Sequence, residues 1–262
     1  MATIAEALDS ALKLQDRGQL AEAERLYREI LKVEPRQAQA WYHLGHIAQA
    51  RGNSVAAVDF LSRAIRIAGA VPEFHNSLGA VFQSQARLAE ATVCYQRALS
   101  LRPDFAAARC NLGSTYKDGG MLDEAIACYL EALDVQPDLA EAYFNLGVIY
   151  QGQARAAEAI TCYENAARSK TQYWQAYNNL GTVYKSEGRF AEALAAYEAA
   201  LGCGGDVAEA HRNRALLRLL LGDYRQGWPE YEWRQRLRTS PPATFQQSHW
   251  NGQPLVGGSL LL

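Results

Sequence analysis

The chain of 262 residues lacks a dominant charge: 26 Lys and Arg stand against 28 Asp and Glu, a net charge of -2. Nucleic acid and anionic membranes are held by clustered positive charge, so neither is an expected partner. No apolar run approaches the roughly 18 residues of a membrane span. The opening stretch MATIAEALDSALKLQDRG carries Glu6 and Asp9 and has no basic segment followed by an apolar block. No signal peptide is read there, and the cytoplasm is the expected location. Cysteine is scarce and odd in number, at five. Cys94, Cys128 and Cys162 recur at a fixed interval. Stacked helices lie about 8–10 Å apart, whereas a disulfide needs Cα atoms within about 7 Å. These thiols are expected to be small buried apolar groups.

Catalytic chemistry is lacking as well. No Gly-rich phosphate loop follows a strand, no Ser/His/Asp set is arranged, and no cleft of paired carboxylates can be argued. Asp and Glu are spread over helix surfaces. The chain is therefore not expected to be an enzyme in itself, and no catalytic residue, metal or cofactor is assigned. His43 and His46 share a helix face, but no third ligand of suitable spacing accompanies them.

What the sequence has is a period of 34. Ala11, Gly45, Gly79, Gly113, Gly147, Gly181 and Ala215 mark it. Twelve residues later Ala recurs at 23, 57, 91, 125, 159 and 193. Four further on stand Tyr27, Leu61, Tyr95, Tyr129, Tyr163, Tyr197 and Tyr231. Pro35, Pro103 and Pro137 close several units, and Gly18, Gly52, Gly120, Gly188 and Gly222 divide them. Each unit reads as two short helices. In AEAYFNLGVIYQ the residues Tyr143, Leu146, Gly147 and Tyr150 share one face, and a later glycine breaks that helix. In LDEAIACYLEALDV, 122–135, Ala125, Tyr129, Ala132 and Leu133 repeat the pattern, and Pro137 ends it. The glycine costs up to about 1 kcal/mol of helix propensity, a cost offset if it lets two helices approach closely.

A 34-residue unit with Trp41-Leu44-Gly45, or Tyr143-Leu146-Gly147-Tyr150 with Ala159, resembles the tetratricopeptide repeat. The resemblance implies an all-α, right-handed superhelix of antiparallel helix pairs, with a concave groove lined by the first helix of each pair. Residues 4–207 read as six repeats, 208–238 as a degenerate seventh or cap, and 239–262 as a linker and the start of a further, truncated domain. Gly69 and Thr171 replace the closing proline, which makes the helix ends there uncertain. Arg214 replaces the usual Leu, and Pro229 falls inside a second helix, so an irregular, kinked end is expected.

Asn111, Asn145, Asn179 and Asn213 each precede the packed Leu position and point off the packing face. The pattern NLGxxY…G…EA…Y…A is similar to the repeats of O-linked N-acetylglucosamine transferases. In that family an asparagine ladder at this position holds the main chain of an extended peptide. A carboxamide has both donors and an acceptor, which suits that role. Asp9, His43 and Ser77 occupy the position in earlier repeats, and Gln15, Gln49, Gln83, Lys117, Gln151 and Lys185 form a second row. The expected groove set is Asn111, Asn145, Asn179, Asn213, His43, Gln83, Lys117, Gln151 and Lys185. Two alternatives stand beside it: the amides are solvated, or they bond to each other along the stack. Lys117 and Lys185 favour acidic or phosphorylated ligands unless they are simply solvated. The expected function is a scaffold that binds a protein or peptide segment, with self-association through terminal repeats left open.

The end GWPEYEWR…F…WNGQPLVGGSLLL resembles the junction from such repeats into a glycosyltransferase-like domain, with Trp250, Gly252, Leu255, Gly257 and Gly258 at the matching places. That resemblance implies an alternative: the substrate-recognition arm of a glycosyltransferase.

Overall fold

The structure, a computed structural model, describes residues 3–204 and 207–237. Within them lie fourteen α-helices and a terminal 3-10 turn, with no strand. The odd-numbered helices are α1 (Ile4–Asp16), α3 (Ala38–Ala50), α5 (Pro72–Ser84), α7 (Ala106–Asp118), α9 (Ala140–Gly152), α11 (Trp174–Ser186) and α13 (Ala208–Leu220). The even-numbered helices are α2 (Leu20–Val33), α4 (Ser54–Ile67), α6 (Leu88–Leu101), α8 (Leu122–Val135), α10 (Ala156–Ser169), α12 (Phe190–Gly202) and α14 (Tyr224–Tyr231). Every odd helix begins 34 residues after the last.

The first helix opens with a capping box, in which Thr3 and Glu6 satisfy each other's backbone N–H. Between the helices of each pair the chain turns through one left-handed residue. Gly18, Gly52, Gly120, Gly188 and Gly222 take it at φ of 73–85°. In the third and fifth pairs Ala86 and Ala154 hold the same place at φ 57° and 58°, a conformation that costs a residue with a Cβ about 1–2 kcal/mol. The missing prolines do not disturb the second helices: α4 and α10 end at Ile67 and Ser169, in phase with Leu101 and Val135. After α10 the left-handed Gln172, at φ 62°, turns the chain instead.

The pairs pack as the small residues dictate. Ala23, Ala57, Ala91, Ala125, Ala159 and Ala193 are fully buried, as are the rings of Tyr27, Tyr95, Tyr129, Tyr163 and Tyr197. Each later tyrosine packs its ring against the glycine of its own pair. A Cβ on Gly147 would stand 2.6 Å from Tyr163 Cε1, and one on Gly181 2.7 Å from Tyr197. Cys94, Cys110 and Cys162 are buried, but Cys128 is only half-buried. Burial pushes the thiols of Cys94, Cys128 and Cys162 up to about 11 and that of Cys110 to about 12.

At the last described pair α14 has only 8 residues and contains Pro229. Arg214 finds its compensation there. It and Arg218 donate to the carboxylate of Glu230, which is buried at 9 % exposure, and His211 Nδ1 lies 2.8 Å from the same group. Burial alone would raise the Glu230 carboxyl, but the bonds from Arg214 and His211 and the charges of Arg214 and Arg218 outweigh it and hold it below the usual range.

Candidate functional site

Odd helices of neighbouring pairs touch directly: α3 with α5, α5 with α7, α7 with α9, and α11 with α13. No two even helices among the described residues meet to a comparable extent. The stack is closer on the odd side, which makes the odd helices its inner wall. Polar side chains bond from one odd helix to the next along this wall. Ser77 Oγ reaches Tyr42 OH at 3.3 Å and His46 Nε2 at 3.1 Å. Gln83 Nε2 donates to Asp118 at 3.0 Å. Lys117 Nζ donates to Asn145 Oδ1 at 2.7 Å.

The four asparagines are all half-buried on this wall, and each is already engaged. Asn111 and Asn213 donate back along the stack, to Asn76 Oδ1 at 3.0 Å and Asn178 Oδ1 at 2.9 Å. Asn178 itself is buried at 2 % exposure. Before Asn145 and Asn179 the acceptor position holds Cys110 and Phe144, so these two turn elsewhere. Asn145 Nδ2 donates to the Glu141 carbonyl at 2.9 Å, and Asn179 Nδ2 to Tyr163 OH at 3.4 Å. The alternative of bonding along the stack therefore holds for Asn111 and Asn213, with partners one position before the ladder. The Oδ1 atoms of Asn111 and Asn179 have no partner among the described residues.

Gln83 and Gln151, expected in a second polar row, also bond to the core. Tyr95 OH donates to Gln83 Oε1 at 3.0 Å, and Tyr163 OH to Gln151 Oε1 at 2.7 Å; Tyr27 OH does the same to Gln15 at 3.3 Å. A buried hydroxyl without a partner would cost about 1–3 kcal/mol, and the glutamine removes that cost. Where Lys117 and Lys185 stand instead, the hydroxyl turns to a different neighbour: Tyr129 to Ser114 at 3.0 Å and Tyr197 to Thr182 at 3.3 Å. The sequence carries this rule. Among repeats with the buried tyrosine, those with glutamine have Leu12, Ala80 or Val148 after the small residue, whereas those with lysine have Ser114 or Thr182. Ser114 and Thr182 are the hydroxyl partners that periodicity alone passes over, and this pairing is the signal for them.

His43 stacks face to face on Tyr27, ring centres 5.2 Å apart, and meets Tyr42 edge-on. Burial, then the neighbouring His46, push its imidazole from the ordinary 6.5 down to about 4. It is a neutral ring packed between aromatic residues, at the end of the wall remote from Asn213.

Sequence profiles described as tetratricopeptide or TPR repeats match residues 8–72, 84–120, 113–153 and 138–203. The chain belongs to the tetratricopeptide repeat family. Solved tetratricopeptide structures share its fold. The pilF protein of Pseudomonas aeruginosa superposes with a TM-score of 0.69 at 22% identity, over 78% of this chain and 94% of that one. A repeat protein from Parabacteroides merdae gives 0.67 at 16% identity, over 87% and 91%. YrrB, described as a TPR protein with an unusual peptide-binding site, gives 0.53 at 24% identity, over 66% and 90%. No curated protein matches the sequence.

Proposed function

We propose that this tetratricopeptide array is a scaffold that receives an extended segment of another protein along its inner wall, between α7 and α13. The observation that carries this is the row of half-buried amides at one helical phase, with bonding capacity left over after their internal contacts. Carboxamides on successive odd helices match the alternating N–H and C=O groups of an extended main chain. Each bond contributes only about 0.5–1.5 kcal/mol net, so affinity grows with the number of repeats engaged. The peptide-binding site described for YrrB supports the reading by analogy of fold.

Peptides selected from a random displayed library on the chain test it. Asn145→Ala with Asn179→Ala weakens their binding about tenfold or more and leaves the melting temperature nearly unchanged. Selected peptides that bind the double variant as tightly as the parent would sink the proposal.

The alternative of a glycosyltransferase arm rests on Trp250, Gly252, Leu255, Gly257 and Gly258, which lie outside the described residues, as does the rest of the linker 239–262.

A further inference from the structure

Among the described residues eight lysine and arginine side chains are half-buried: Arg102, Arg109, Lys117, Lys185, Arg212, Arg214, Arg218 and Arg234. Five of them reach a carboxylate. Arg102 meets Glu73, Arg109 meets Glu131, Arg214 and Arg218 share Glu230, and Arg234 meets Glu232. The other three have none among the described residues. Lys117 donates to the neutral Asn145. Arg212 reaches only Asn213 Oδ1, at 3.4 Å, and its Nε is buried without a partner. Lys185 has no partner at all among the described residues. All three stand on odd helices, α7, α11 and α13. The carboxylates of the same wall are engaged elsewhere: Asp118 by Gln83, Glu141 by Lys170, and Glu209 by Asn178. The wall also has acceptors already taken, because the amide oxygens of Gln83, Gln151, Asn145 and Asn213 each receive a bond.

Partly desolvating a cation without a counter-charge is unfavourable, and the outer surface shows that this chain pairs its arginines readily, as in Arg155 with Glu158 and Arg189 with Glu192. Resting on the proposed wall, we infer that the segment it receives is an acidic peptide, whose side-chain carboxylates complete Lys117, Lys185 and Arg212. The helices that carry Lys117 and Lys185 are two repeats apart, about 20 Å at the usual helix spacing, and Lys117 leans toward α9 to reach Asn145. Extended chain rises roughly 3.3 Å per residue, so the two carboxylates lie within about six residues of each other in the ligand. A carboxylate only accepts hydrogen bonds, which fits a wall whose remaining capacity is mostly N–H.

Random displayed peptides of about twelve residues, long enough to cover three or four repeats, are selected on the chain and resynthesised with a fluorescent label. The selected set is enriched in Asp and Glu. Binding falls about fivefold or more on Lys117→Met with Lys185→Met, on exchange of the acids for Gln or Asn, and at high salt. Melting curves show that the variants stay folded. A selected set without acidic enrichment that still depends on Asn145 and Asn179 overturns the acidic ligand and leaves the wall reading standing. If no selected peptide depends on either pair, both readings fall. A labelled oligothymidylate held through the same lysines, with no acidic peptide selected, assigns the cations to nucleic acid and also overturns the inference.

Discussion

The third and fifth helix pairs differ from the fourth and sixth in how they treat one atom, the buried tyrosine hydroxyl. In α5–α6 and α9–α10 a glutamine closes it from the wall. In α7–α8 and α11–α12 a hydroxyl one turn earlier closes it from within the helix, and the wall position passes to lysine. A buried polar group sets the constraint, and two kinds of side-chain partner meet it. Only the second leaves the wall position free to carry charge. A structural requirement thus decides where this array can display a cation.

Removal of the whole ring should erase the difference between the two kinds of pair. Tyr163→Ala and Tyr129→Ala should each cost about 3–5 kcal/mol, by urea unfolding, with no difference between the two kinds of pair. Unequal costs would mean that the kinds differ in packing as well as in the hydroxyl. Gln151→Lys alone should cost about 1–2 kcal/mol, and adding Val148→Ser should restore most of that, in the manner of the lysine repeats. A double variant no more stable than the single would show that the pairing is incidental.

The aromatic end of the wall gives a smaller, pH-dependent effect. The folded chain keeps His43 neutral down to about 4, whereas the unfolded chain takes up its proton near 6.5. The contribution is therefore fully present above pH 6.5 and is lost as pH falls through that value toward 4. Allowing for partial exposure, about 1 kcal/mol should disappear between pH 6.5 and 5, and His43→Gln should flatten that part of the profile. The smallest change lies in the turns. Ala86→Gly or Ala154→Gly should raise stability by about 0.5–1 kcal/mol, whereas Gly120→Ala should lower it by at least as much.

Much of the fold was legible because small and large residues recur at one phase. Gly147, Ala159 and Tyr163 identify a packing contact between two helices without any distance being known. The uncertain helix ends at Gly69 and Thr171 proved regular, since tertiary stacking fixes where α4 and α10 stop even without proline. The candidate site was less legible. Which residues share the wall follows from periodicity, but their partners do not: Asn111 and Asn213 look to Asn76 and Asn178, one step out of phase with the ladder. Gln83 and Gln151 read as surface groups because a period records position and not what lies beneath it. Arg214 read as an irregularity because its partner Glu230 stands where other repeats have Cys162 or Ala196.

The unbroken phase of the helix starts carries a consequence for how such a chain changes length. Excising one full unit between equivalent turns, such as those at Gly120 and Ala154, leaves every later helix with its apolar stripe aimed as before. Losing one residue more or fewer rotates that stripe by about 100° and sets a polar side chain against the interior. Growth and shrinkage by whole units is thus the gentle path, and the cost falls on the few pairs, such as Asn76 with Asn111, that join one particular neighbour to another.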